Sequence, residues 1–279
     1  MKNKIYPCIW FDGNAIKAAE FYCSVFKDSN INSFNPWVAG LTIMGYRFMF
    51  LNGGAKCKPN PTMSFYTTFE TVDEIEEVWK KLLGNGKVVM PLDRYGWREK
   101  YGWVEDQYGV SWQLTLGRVL EIGQKIVPAL MFTGEQFGYA GQAIEHYCSI
   151  FKNAKVNFIH RYDENDKIQG GKIDHARFSL SGQPFIAMDS GLVHNYSFTE
   201  GLSLVVECET QKEIDFFWES LTEGGMEGQC GWLKDKYGFS WQVVPSHLGR
   251  LMNDPLKSEK VMNVILGMKK LEIDLLENA

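Results

Sequence analysis

Gly-Trp-Val-Glu-Asp-Gln-Tyr-Gly-Val-Ser-Trp-Gln at 102–113 returns as Gly-Trp-Leu-Lys-Asp-Lys-Tyr-Gly-Phe-Ser-Trp-Gln at 231–242. A match of this length makes the chain an internal duplication, and a repeat must be recognised before any element is assigned. Working outward, Phe-Tyr-Cys-Ser-Val-Phe-Lys at 21–27 recurs as His-Tyr-Cys-Ser-Ile-Phe-Lys at 146–152, and Trp79 corresponds to Trp218, in the same order. The halves meet at Gly-Arg-Val-Leu-Glu-Ile-Gly-Gln-Lys-Ile, residues 117–126. The expected division is a first domain at 1–118, a linker at 119–126, a second domain at 127–245 and a C-terminal extension at 246–279. The second half gains residues at 134–142 and in a polar loop at 161–171, and is shorter between Trp218 and Trp232 than the first is between Trp79 and Trp103. Loops absorb such changes at small entropic cost and often carry specificity.

Each half reads as α+β. Tyr6–Phe11 is a β-rich run broken by Gly13-Asn14, and Asn14 is placed to cap a helix over 15–26. Ala15, Ala19, Tyr22 and Phe26 give that helix a buried stripe. Strands are expected at about 37–43 and 46–52, joined at Met44-Gly45, and near 63–70. Thr71-Val-Asp-Glu74 has the capping-box pattern and opens a helix to about Leu83; Thr210-Gln-Lys-Glu213 repeats it. Strands near 87–91, 101–105 and 110–116 complete the half. The order is β-α-β-β-β twice per half, hence four modules, and lacks the strict alternation of a doubly wound parallel sheet. After Pro245, Leu248, Leu251, Val261, Ile265, Leu271 and Leu275 suit one or two amphipathic helices broken near Asp254-Pro255. They either pack on their own domain or act as a lid or subunit clasp.

Composition narrows the class. At 279 residues the chain is long enough for two domains. A net charge of −5 argues against nucleic acid as a partner, because phosphate binding needs a basic surface. No signal-peptide core and no run of 18 apolar residues is found, so no membrane partner is expected. The cysteines at 8, 23, 57, 148, 208 and 230 form no C-x-x-C pair; the reading is a cytoplasmic protein with free thiols.

The module order resembles the vicinal oxygen chelate superfamily, the glyoxalase/bleomycin-resistance/dioxygenase fold, and within it the 3-demethylubiquinone-9 3-methyltransferase-like, PhnB-like branch in a tandem form. The resemblance rests on Pro7-x-Ile-Trp-Phe, Gly13-Asn-Ala, Phe21-Tyr22…Phe26, Met90-Pro-Leu-Asp93 and the Tyr101-Gly-Trp…Gln113 ending. In the second half it rests on Gly231 to Pro245 and on the tail Asp254-Pro…Val261-Met262…Met268-Lys-Lys. It implies tandem glyoxalase-like domains, each of two paired β-α-β-β-β modules forming a curved sheet around a cleft, plus C-terminal helices. It also implies a divalent metal held by His or Glu on the first, fourth, fifth and eighth strands. Carried onto this sequence, those positions fall at Pro7 and Pro128, near Met49–Asn52 and Ile186–Asp189, at Ser64 and Ser203, and at Gln113 and Gln242. Transition metals want imidazole, thiolate or carboxylate, so of these only Asp189 is a candidate ligand; no metal and no cofactor is expected. Methyl transfer would need a Gly-rich turn between strand and helix for its nucleotide-like cofactor, and none has that pattern.

Because the implied ligand positions face the cleft, strand alternation assigns its lining. The expected ligand-binding residues are Ile9, Phe11, Ser64, Tyr66 and Gln113 in the first half and Leu130, Phe132, Ser203 and Gln242 in the second. Such an apolar wall with a few amides and hydroxyls suits a small organic molecule; alternatively the two glutamines satisfy buried backbone groups. Arg94, Trp97 and Arg98 lie on the long loop that the second half lacks and are candidates to clamp an anionic or flat ligand. His175 is the one candidate general base. Asp106 and Asp235 sit in Tyr-Gly turns and are expected to fix them. Three functions stay open: binding of a small molecule without metal, an enzyme such as a metal-assisted lyase or dioxygenase, and a structural protein with vestigial clefts. The fused halves imply an intrachain pseudo-dimer, with a homodimer as the alternative.

Overall fold

The computed structural model describes residues 4–121 and 123–279. It contains the four modules in order. The first is β1 (Ile5–Phe11), α1 (Ala15–Val25), β2 (Asn30–Phe34), β3 (Val38–Ile43) and β4 (Tyr46–Asn52). The second is β5 (Met63–Phe69), α2 (Val72–Leu83), β6 (Lys87–Tyr95), β7 (Arg98–Glu105) and β8 (Ser111–Leu116). The third is β9 (Ile126–Phe132), α3 (Ala140–Ile150), β10 (Lys155–Arg161), β11 (Ile173–Leu180) and β12 (Gln183–Asp189). The fourth is β13 (Leu202–Cys208), α4 (Gln211–Thr222), β14 (Met226–Glu227), β15 (Trp232–Lys234) and β16 (Ser240–Pro245). Three short helices follow, α5 (Leu248–Met252), α6 (Ser258–Leu266) and α7 (Ile273–Glu277). Among the described residues no helix is long and apolar enough to cross a membrane.

The local chemistry explains the ends of the helices. Thr71 and Thr210 cap α2 and α4 by accepting from the backbone N–H of Glu74 (3.4 Å) and Glu213 (3.3 Å). Asn14 makes no such bond; α1 takes its cap from Asn52 at the end of β4, whose Oδ1 accepts from the N–H of Ala15 at 2.9 Å. Asp189, at the end of β12, does the same for α3: it accepts from Gly138 (2.8 Å) and Ala140 (3.2 Å) with one oxygen and from Ile173 (3.0 Å) with the other. That engagement corrects its reading as a candidate metal ligand.

The chain divides into two compact units, Ile9–Leu202 and Ser203–Ala279 together with the N-terminal residues through Cys8. The larger unit holds a complete eight-stranded sheet in the order β10-β11-β12-β9-β5-β8-β7-β6. Its centre is a seam between the sequence halves. β5 pairs antiparallel with β9, setting Ser64 opposite Ala129, Phe65 opposite Pro128 and Tyr66 opposite Val127. This sheet therefore joins the second module of one half to the first module of the other. On its helix side an aromatic core gathers Tyr22, Phe26, Phe48, Phe50, Phe65 and Trp112, with centroids 4.7 Å apart for Phe26–Trp112 and 5.0 Å for Phe48–Phe65. Edge-to-face and tilted rings at such distances are the favoured packing.

In the smaller unit, β13 pairs parallel with β16, and β15 antiparallel with β16. The C-terminal segment docks here: the N–H groups of Cys230 and Gly231 donate to the carbonyls of Met268 and Lys269, both at 2.7 Å. Leu271, fully buried, fills the space in front of Gly231, where a Cβ would lie 3.2 Å from its side chain. In the larger unit the equivalent Gly102 faces Trp79 and Leu92 instead. The tail thus supplies in the second half what the long β6–β7 hairpin supplies in the first.

Candidate functional site

Register decides which side chains share the face of the larger unit's sheet opposite the aromatic core. Tyr66 stands beside Gln113 on β8, and Gln113 beside Trp103 on β7. Across the seam the same face continues through Val127, Ala129 and Met131 to Ile186 and Met188 on β12. Tyr66, Tyr101, Trp103, Val127, Ala129, Met131 and Ile186 form one buried cluster, with Met90, Tyr95, Met188 and Tyr196 packed against it. A short polar chain runs through it. The Tyr101 hydroxyl donates to Gln113 Oε1 at 2.7 Å, and Gln113 Nε2 donates to Ser64 Oγ at 2.8 Å. Beside it, Trp103 Nε1 donates to Ser111 Oγ at 2.7 Å. Gln113 is thus held by side chains and not by backbone groups. Burial, with Tyr66 and Tyr95 adding to it, raises the Tyr101 phenol, which stays a donor.

The site residues read from sequence divide accordingly. Ser64, Tyr66 and Gln113 lie together on this face. Leu130 and Phe132 do not: Leu130 opposes Met63 and Phe132 packs on Phe198, on the other side of the sheet. Ile9 and Phe11 are on β1, which is not a strand of this sheet, and Phe11 packs into the aromatic core, 4.8 Å from Phe50 and 5.7 Å from Tyr108. A slip of one residue moves every side chain of a strand to the opposite face, and a count across a loop does not fix register. Ser203 and Gln242 sit in the smaller unit, with Gln242 Nε2 donating to Ser203 Oγ at 3.0 Å. Cys8 lies beside both there, and burial pushes its thiol up to about 12. Ala129 stands in the matching place of β9, so the thiol has no counterpart in the larger unit.

The mouth of the face is aromatic and cationic. Trp97 packs 4.6 Å from Tyr101 and stacks 5.7 Å from Tyr95, and it stays 58 % exposed. Arg94 is exposed on the same hairpin, its N–H turned to its neighbour Asp93. On β11, His175 lies 6.4 Å from Tyr66 and 6.3 Å from Phe158. Burial, reinforced by Arg177 and Arg98, lowers it to about 4. It is therefore neutral at pH 7 and a weak base, which corrects its reading as a base matched to that pH. Arg177 lies over the Phe158 ring at 5.1 Å. Sequence alone gave no sign of Arg177; the β5–β9 pairing joins β11 and β12 to this face, while Trp103 reaches it through β7–β8.

Two further features lie apart from the cleft. Asp106 closes its turn by accepting from Tyr108 (2.8 Å) and Val110 (3.2 Å), and it also holds Tyr22 (2.7 Å) and Trp112 (2.9 Å). Asp235 repeats this with Tyr237, Phe239 and Trp241. Both are structural, as expected from sequence. Ser190 Oγ lies 2.8 Å from His194 Nε2, a contact the sequence did not announce, but Ser190 is buried.

A family-type metal does not fit these residues. The polar groups of the face are hydroxyls and an amide already bonded to one another, and neither suits a transition metal. Among the described residues no three His, Cys, Asp or Glu side chains come together as a metal site would require.

A family model described as 3-demethylubiquinone-9 3-methyltransferase matches residues 3–115 and 124–244. No curated protein matches the chain. Of solved structures, the PhnB protein of Bacillus cereus is 37% identical over 41% of this chain and 100% of its own, with a TM-score of 0.38. A protein from Staphylococcus aureus is 26% identical over 42% and 97%, with a TM-score of 0.20. Glyoxalase I from Zea mays is 10% identical over 86% of this chain and 91% of its own, with a TM-score of 0.56, which is a likeness of fold.

Proposed function

The chain belongs to the family described as 3-demethylubiquinone-9 3-methyltransferase, as a tandem member of the vicinal oxygen chelate superfamily, and from that premise we propose that it binds a small organic molecule without a metal. The face of the larger unit's sheet that carries Tyr66 and Gln113 is the site. The observation that carries this reading is the composition of that face: stacked and edge-on rings around the Tyr101–Gln113–Ser64 chain, with no charged ligand set. Trp97 and Tyr95 guard the mouth. Methyl transfer is not part of this reading, because among the described residues no strand-to-helix turn presents a Gly-rich cradle for a nucleotide-like cofactor. The six free cysteines suit a reducing compartment, hence a cytoplasmic protein. Pairing of the two halves within one chain suits a monomer, the intrachain equivalent of a dimer.

The test is a thermal-shift screen of the untagged chain against small planar organic compounds, followed by calorimetric titration. A binder raises the melting temperature by mass action. Trp97→Ala, on an exposed side chain, and Gln113→Ala are each expected to weaken it. The reading falls if no compound binds. It also falls if elemental analysis finds near-stoichiometric metal whose removal abolishes binding.

A further inference from the structure

Two guanidinium groups from strands of different halves meet at one linker residue. Arg98 Nη1 lies 3.5 Å from the Glu121 carboxylate, and Arg177 Nη1 donates to the Glu121 main-chain oxygen at 3.2 Å. The first contact is long for a charge-assisted bond, and Glu121 is half exposed. Only Arg98 meets the carboxylate; Arg177 meets a neutral carbonyl and makes no ion pair among the described residues, so its positive charge is left over. His175 beside them is neutral at pH 7 and adds none.

A second observation points the same way. Thr68 follows Tyr66 on the same face of β5 and is 3% exposed, yet its Oγ1 has no hydrogen-bond partner. A side chain beginning at Gly117 would lie 3.9 Å from both Arg98 Nη1 and Thr68 Cγ2, so the glycine leaves a gap bordered by both. A buried hydroxyl without a partner is costly unless something fills its place.

We propose that the face takes a flat organic anion, its ring against Tyr66, His175 and Phe158 and its oxyanion between Arg98 and Arg177, in place of the contacts that the Glu121 carboxylate and main-chain oxygen now make to them. This rests on the small-molecule reading above and names the ligand class. Arg suits the task because its planar fork matches an oxyanion and its face stacks on a ring. Glu121 is then an internal stand-in for the ligand, exchanged when the ligand enters.

The experiment titrates the full chain with 2-naphthoate, with its neutral isostere 2-naphthamide, and with inorganic phosphate. Naphthoate is expected to bind at least about tenfold more tightly than naphthamide, and Arg177→Gln to remove that preference. Glu121→Gln, at a half-exposed site where folding is not at stake, is expected to tighten naphthoate several-fold. Equal binding of naphthoate and naphthamide overturns the anion assignment and leaves the small-molecule site standing. So does phosphate binding as tightly as naphthoate, since the ring then contributes nothing. Binding of neither naphthyl compound overturns the anion assignment, and the small-molecule reading then stands or falls on the screen described above.

Discussion

Asp106 shows how much one side chain can organise. Burial pushes it up to about 6 against four donors, and at pH 7 it remains the acceptor those donors need. Asp106→Asn turns an NH2 toward donors and leaves buried N–H or O–H groups unpaired, at an expected cost of about 2–4 kcal/mol by urea unfolding. His175 gives the chain an acid limb. Unfolded, it takes a proton near 6.5; folded, only near 4. The stability tied to its neutral form is therefore intact above 6.5 and is lost as the pH falls from there to 4, by about 3 kcal/mol in all. His175→Gln should flatten unfolding free energy against pH across that window; an unchanged slope there would contradict the assignment. At this scale sequence reading succeeded where the chemistry is local, as in the Asp-x-Tyr-Gly turns. It grouped Leu130 and Phe132 with Ser64 and Tyr66, although the pairing turns them to the opposite face, because alternation gives period and not phase; the phase is set by strand pairing.

Among elements, the capping boxes at Thr71 and Thr210 were legible because donor and acceptor are three residues apart. The caps of α1 and α3 were not, since they come from Asn52 and Asp189, far along the chain. β2 and β10 escaped notice because both are edge strands, exposed along most of their length. The tail is the element with the clearest consequence. Leu271 sits where Leu92 sits in the other half, against a glycine that admits no side chain. Besides Leu271, Lys270 pairs with Asp215 at 2.5 Å and Gln211 donates to the Leu271 carbonyl at 3.2 Å. Leu271→Ala should cost about 2–4 kcal/mol as a buried cavity, and Gly102→Ala about 1–3 kcal/mol as an overpacked contact with Trp79. Both are read by chemical denaturation, and a neutral Leu271→Ala would mean the tail is dispensable.

For the molecule as a whole, the duplication and the four modules were legible in the repeated motif, because repeats declare themselves without any knowledge of contacts. Which modules share a sheet was not, since pairing between distant strands leaves no mark on either strand alone. The seam makes the halves interdependent. A fragment ending at residue 118 exposes the edge of β5 that Ile126–Leu130 would cover. It is expected to self-associate or precipitate in sedimentation analysis, and mixing with the remainder of the chain should restore a monomeric particle. A soluble, folded, monomeric fragment would contradict this.

The same seam sets a timetable on synthesis. β5 leaves the ribosome well before β9, so the nascent chain carries an open central strand until the second half has been translated past Phe132. The first half cannot finish folding on its own schedule. Slow codons or a pause in the linker region would lengthen the interval in which that strand can meet the wrong partner, and a chaperone that shields it would matter most at that moment.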